Sequence, residues 1–101
     1  MHPPENFVRV VNKTRYSVAQ ARLLASGEYW DGHNWERHGR NTFLYRGGNG
    51  NYFVVRLTQW EGERDTLEPI SKDEAIELYE SLQEHVAKFE DAFPGVAVAD
   101  A

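Results

Sequence analysis

Five residues, Gly47-Gly48-Asn49-Gly50-Asn51, separate two runs that alternate in the manner of β-strands, Thr42–Arg46 and Tyr52–Trp60. Glycine and asparagine adopt the positive φ that a tight reversal demands, so the segment reads as the turn of a β-hairpin. On the incoming strand Phe43 and Tyr45 share one face while Leu44 and Arg46 share the other. On the outgoing strand Phe53, Val55 and Leu57 oppose Tyr52, Val54, Arg56, Thr58 and Trp60. A strand follows the turn, not a helix amino terminus, and this context argues against a phosphate-cradling loop.

The hairpin leads into further patterned sequence. Glu61-Gly62-Glu63 makes a second turn and Asp65–Glu68 a further strand, which gives a three-stranded meander ended by Pro69. Ser71 and Glu74 stand at the spacing of a capping box, in which each side chain satisfies a backbone N–H that the first helical turn leaves free. Ile70 and Ala75 occupy the positions of a weak hydrophobic staple. Ile76, Tyr79, Leu82, Val86, Phe89 and Phe93 recur at intervals of three and four, so the spacing predicts one helix from Ser71 to Phe93, stopped by Pro94-Gly95. Upstream, Val8–Val11 before the polar Asn12-Lys13-Thr14 predicts a first strand. The segment from Tyr16 to Gly27 admits two readings. Ser17 and Gln20 could cap a short helix stopped by Gly27, or a helical turn could precede a strand in which Ala21, Leu23 and Ala25 alternate with Arg22 and Leu24.

These elements predict an α+β fold: an antiparallel sheet of four or five strands with one long C-terminal helix packed on one face. The helix stripe would meet Phe53, Val55 and Leu57 or the residues of the opposite face. A length of 101 residues suits a single domain that buries roughly 65% of its unfolded surface, with 1–6 and 96–101 as flexible ends. Zero cysteines remove disulfides, cysteine nucleophiles and thiolate metal sites together. No apolar run approaches the about 18 residues of a membrane span, and the amino terminus shows no basic and apolar leader, so a cytoplasmic setting is expected.

The net charge of −5 is unevenly spread. From Phe7 to Trp60 eight basic residues face three acids, whereas from Glu61 onward three basic residues face twelve. An acidic helix face balancing a mildly basic sheet accounts for this, and a general nucleic-acid binder would show a stronger basic excess.

Side chains with chemical potential crowd into Trp30-Asp31-Gly32-His33-Asn34-Trp35-Glu36-Arg37-His38-Gly39-Arg40, within the polar stretch from Glu28 to Asn41 that reads as an ordered surface loop or ragged strand. Asp31, His33, Glu36 and His38 are metal-capable, but two glycines argue against the helix that would align them, and no metal or cofactor is expected. Tyr29, Trp30, Trp35, Tyr45, Tyr52 and Trp60, interleaved with arginines, carry the aromatic and guanidinium chemistry enriched at recognition surfaces. Trp60 is assigned to the core, and Trp30 and Trp35 to the surface. The leading expectation is therefore a non-enzymatic interaction module that binds a protein or anionic partner through Trp30, His33, Trp35, Arg37, His38, Arg40 and Tyr45. The competing one is a small nucleic-acid-processing or phosphodiesterase-like protein in which His33, Arg37, His38 and Arg40 supply acid–base and phosphate-binding groups. Arg46 and Arg56 are expected to face solvent or pair with the acidic helix. A homodimer formed through a sheet edge or the aromatic patch is compatible with either reading.

Leu44-Tyr45-Arg46, Gly50-Asn51-Tyr52-Phe53, Pro69-Ile70-Ser71 and Glu74-Ala75 together resemble a group of small bacterial proteins in which a Leu-Tyr-Arg strand pairs with a Gly-x-Tyr/Trp-Phe-Leu strand and a Pro-Leu-Thr/Ser capped helix closes the domain. The resemblance covers roughly residues 42 to 82, and more loosely Tyr16 to Ala25. The chain departs from it at Val18, where the group carries threonine, and in its compact Gln59–Glu63 connection. The resemblance implies fold alone and brings no activity or catalytic residue with it.

Overall fold

The computed structural model describes residues 3–28, 41–57 and 64–101. Its centre is the hairpin of β4 (Asn41–Gly47) and β5 (Tyr52–Leu57), in register from Asn41↔Leu57 to Arg46↔Tyr52. The Gly47 N–H donates to Asn51 O at 2.8 Å, the Gly50 N–H to Gly47 O at 3.0 Å, and the Asn51 N–H to Asn49 Oδ1 at 3.1 Å. Gly50 has φ +85°, the left-handed conformation that reverses the chain and that a side chain would strain. The predicted Glu61–Glu63 turn lies outside the described residues.

Around the hairpin, β3 (Ala21–Glu28), β6 (Thr66–Ile70) and the two-residue β7 (Glu84–His85) complete a five-stranded sheet in the order β6-β5-β4-β3-β7, every pairing antiparallel. A separate hairpin of β1 (Val8–Val11) and β2 (Thr14–Ser17) turns at Asn12 and Lys13, both with positive φ, +52° and +65°. Pro69 does not end β6 as the sequence predicts but lies within it, opposite Phe53. Because β6 is an edge strand, the missing N–H of Pro69 can be tolerated there.

The sheet is buried on both faces, which makes three layers. On one side Leu24, Ala25, Leu44 and Tyr52 pack with Ala75, Tyr79, Ala87, Ala92 and Phe93 of the helical segment. On the other, Phe43, Tyr45, Phe53, Val55, Leu57 and Leu67 pack with Val18 and, at the edge, Phe7, Tyr16, Ala21 and Leu23. The helical layer thus meets the face of Leu44 and Tyr52, the second of the two predicted alternatives. The face of Phe53, Val55 and Leu57 is met instead by Val18 and, at its edge, by Phe7 and by Tyr16 of the β1–β2 hairpin, which Arg9 ties to β6 through a 2.8 Å bond from its guanidinium to Leu67 O.

The Tyr16–Gly27 segment adopts the second of its two readings. A single 3-10 turn, Val18–Gln20, precedes strand β3, and Ser17 makes no side-chain cap. The register shifts between Leu23 and Ala25, so that Leu24 is an extra residue in β3 and both Leu24 and Ala25 are fully buried. This bulge explains why apolar residues run consecutively here instead of alternating.

The predicted C-terminal helix is also corrected. The long helix Ser71–Phe93 is instead α1 (Lys72–Ser81), β7 and a short α2 (Phe89–Ala92). The amino-terminal end forms as predicted: Ser71 Oγ accepts from the Glu74 N–H and Glu74 Oε1 from the Ser71 N–H, both at 3.1 Å. At the other end Leu82 leaves the helical region at φ −77°, ψ 143°. The last turn of α1 holds no basic residue, and continuing the helix would stack Glu77, Glu80 and Glu84 against the negative end of its dipole. Extended backbone instead pairs Glu84 and His85 with Ser26 and Ala25, and the N–H groups of Val86 and Ala87 both donate to Leu24 O at the bulge, at 2.9 and 3.0 Å. Gly27 makes room for this excursion: a Cβ there would stand 3.3 Å from Gln83 N. The chain then returns Phe89 and Phe93 to the core that a continuous helix would also have reached. Among the described residues no helix is long and apolar enough to cross a membrane.

Candidate functional site

Of the residues predicted to form a binding surface, Trp30, His33, Trp35, Arg37, His38 and Arg40 lie outside the described residues, as does Trp60. Tyr45 is described and is a core residue. It is only 5% exposed and stacks on Phe53 with ring centroids 5.2 Å apart and planes 9° apart. Burial pushes its hydroxyl above the usual tyrosine pKa. Tyr52, on the opposite face, is equally buried and donates its hydroxyl to Ala92 O at 2.8 Å. Burial raises its pKa as well, while the positive charge of Arg46 pulls it partly back.

The described residue that departs most from expectation is Arg46. It is only partly exposed, where a freely solvent-facing side chain is expected, and among the described residues it is not paired with the acidic helix. It is half-buried, its Nε is fully buried without a hydrogen-bond partner, and no ion pair joins it to a carboxylate among the described residues. A buried guanidinium nitrogen without an acceptor is costly, and native structures usually satisfy such groups.

The sheet places a second arginine beside it. Arg22 on β3 is the direct cross-strand partner of Arg46 on β4, and alternation along each strand sends both toward the side of Leu24 and Leu44. Like charges directly opposite each other weaken a sheet, so the pair is not explained by stability. Both arginines line a cleft of about 490 Å³ with Ala19, Gln20, Ala21, Leu24, Gly47, Gly48 and Asp91. A second groove of about 280 Å³ lies on the hairpin side, lined by Arg15, Tyr16, Ser17, Gln20, Asn49 and Phe53 together with the same Gly47-Gly48. The two meet at Gln20 and the glycine turn, so three arginines from three strands gather at one end of the sheet.

The cleft owes its form to local sequence at three points. The 3-10 turn Val18–Gln20 brings Gln20 to its rim, the glycine turn keeps its wall thin, and α2 supplies Asp91. Chemically it offers cationic donors in a recess, suited to holding an oxyanion. No group of three or more metal-binding side chains occurs among the described residues. Sequence inspection singled out Arg46 as a strand end and Gln20 only as a possible cap partner of Ser17, and gave Arg22 and Asp91 no role in a site. The available signal was parity alone: Arg22 and Arg46 each stand two residues from a leucine of the buried face. Comparison with protein families, with curated proteins and with solved structures finds no match to this chain.

Proposed function

We propose that this protein is a small, non-enzymatic, cytoplasmic interaction module that binds a protein or other anion-bearing partner through an aromatic and basic surface formed by Tyr29–Arg46 and the neighbouring Arg22. The observation that supports this reading is the cross-strand pair of Arg22 and Arg46 in one cleft, with the Arg46 Nε buried and unpartnered. Such an arrangement weakens the isolated fold and becomes favourable when an anion occupies it.

The test is fluorescence anisotropy with a labelled polyglutamate peptide as probe, at low and at physiological salt. Binding is expected to weaken with salt, to fall at least tenfold in the Arg22→Glu/Arg46→Glu double variant, and to fall in Trp30→Ala or Trp35→Ala. His33→Ala and His38→Ala are expected to leave it nearly unchanged. Affinity that ignores the double charge reversal overturns the reading. Turnover of an RNA substrate, with an acid-side pH limb that vanishes in the histidine variants, would replace it with the nucleic-acid-processing alternative.

A further inference from the structure

Resting on that reading, we infer that the Arg22–Arg46 cleft takes a single carboxylate, and that Asp91 sets its preference for this monoanion over a phosphate dianion. Arg46 lines the cleft, and behind that lining its Nε is buried without a hydrogen-bond partner. The two terminal Nη–H groups of a guanidinium form a planar fork that matches the two coplanar oxygens of a carboxylate. Arg22, directly across the strand pair, supplies a second fork from the adjoining strand.

The charge count then selects the ligand. Two guanidinium groups carry two positive charges and Asp91 one negative charge, which leaves the cleft with a net charge that one carboxylate neutralises. Asp91 is held in place: its own N–H and that of Ala92 both donate to Lys88 O, at 3.0 and 2.9 Å. Ala92 O in turn accepts the buried Tyr52 hydroxyl, which pins α2 to the sheet. The backbone of Asp91 is therefore fixed on the cleft wall, and among the described residues its exposed carboxylate makes no ion pair. Repulsion from such a charge acts twice as strongly on a dianion as on a monoanion at the same position. The cleft, at about 490 Å³, exceeds the size of a carboxylate and leaves room for the residue or small molecule that bears it.

The experiment follows the arginine side-chain and Asp91 carboxyl carbon signals by carbon-detected NMR at constant ionic strength, above neutral pH where a phosphomonoester is the dianion. Acetate and methyl phosphate are the probes. In the native protein, acetate is expected to shift the Arg22 and Arg46 signals saturably and with higher affinity than methyl phosphate. Asp91→Asn is expected to raise the affinity ratio of phosphate to acetate roughly two- to fivefold, the range of an exposed charge pair. Arg46→Gln is expected to abolish the saturable shift, with thermal unfolding showing that the variant is folded. If Arg46→Gln does not fold, Arg22→Gln serves the same purpose.

Two peptides locate the source of the carboxylate: one with a free C-terminus and no acidic side chain, the other amidated with a single internal glutamate. Binding of either one at the two arginines supports the inference and names the source. Three results overturn it: no saturable acetate shift, tighter binding of phosphate in the native protein, or an unchanged ratio in Asp91→Asn. Failure of these probes together with arginine-dependent polyglutamate binding would leave the partner-binding reading standing. Acetate binding without polyglutamate binding would convert the site into one for a small carboxylic acid.

Discussion

The two faces of the central sheet are covered in different ways. On the helical side aromatic rings carry polar handles that bond to backbone: Tyr52 donates to Ala92 O at 2.8 Å and Tyr79 to Ala87 O at 2.6 Å. The His85 ring stacks on Tyr79 at 4.0 Å, and its Nε2–H donates to Tyr79 O at 2.8 Å. On the hairpin side Tyr45 and Phe53 stack and Tyr16 meets Phe53 edge-on at 5.7 Å, with no such bonds from their hydroxyls among the described residues. One side is held by tyrosine and histidine bonds that fix an irregular chain in place, the other by apolar ring contact beside a regular hairpin and by the Arg9 bond to Leu67 O. An irregular segment leaves backbone carbonyls without helix or strand partners, and the tyrosine hydroxyls supply those partners.

The largest effect that would break this contrast is loss of either aromatic centre. Phe93→Ala on the helical side and Phe53→Ala on the hairpin side, both fully buried, are each expected to cost about 3–5 kcal/mol in urea unfolding. A marked inequality between them would show that one layer contributes little to the cooperative unit.

Removal of single hydroxyls sharpens the comparison. Tyr52→Phe and Tyr79→Phe each leave a buried carbonyl unsatisfied and are expected to cost about 1–3 kcal/mol. Tyr45→Phe is expected to stay within about 0.5 kcal/mol. Equal costs on both faces would dissolve the distinction between bonded and merely packed aromatics.

Alkaline titration reads both faces at once. Tyr45, Tyr52 and Tyr79 all have hydroxyl pKa values raised above the usual 10.0, chiefly by burial. A raised folded-state value means that the native chain holds these protons more tightly than the unfolded chain does. The associated stability is fully present below pH 10 and is lost as pH climbs through the raised values. Urea midpoints are therefore expected to fall across that window, and Arg46→Gln to delay the ionisation of Tyr52, seen by phenolate absorbance, because its lowering charge is gone.

The smallest expected effect is on the β1–β2 turn, where Lys13 has φ +65°. A left-handed lysine costs about 1–2 kcal/mol and glycine about 0.5–1 kcal/mol of extra chain entropy. Lys13→Gly should therefore raise the unfolding midpoint slightly. A lower midpoint would mean that the Lys13 side chain contributes more than its backbone strain removes.

Elements whose signals are local were legible before the structure. The β4–β5 hairpin rests on a glycine and asparagine turn, the start of α1 on Ser71 and Glu74, and β1 on a short valine run. Each is decided within a few residues by dihedral preference, capping or alternation, so sequence inspection places it correctly. The break after Ser81 was not legible. Leu82, Val86, Phe89 and Phe93 keep helical spacing, yet Glu84 and His85 leave the helix to pair with β3. The decisive partners, Leu24 O and the space above Gly27, lie more than fifty residues away in sequence. The bulge at Leu24 was hidden for the same reason, since a bulge exists only relative to a partner strand.

The candidate site divides along the same line. The chain by itself determined that arginines and aromatics are concentrated before Trp60 and acids after it, that the Gly47–Asn51 turn and the Ser71 cap fall where they do, and that no cysteine chemistry is available. The tertiary structure alone decided that Arg22 stands opposite Arg46, that Asp91 lines the same cleft, and that Tyr45 turns inward to the core. Backbone preference is set by neighbours in sequence. The meeting of charges is set by strand register and by the layer packed above, and those depend on the simultaneous burial of both faces of the sheet.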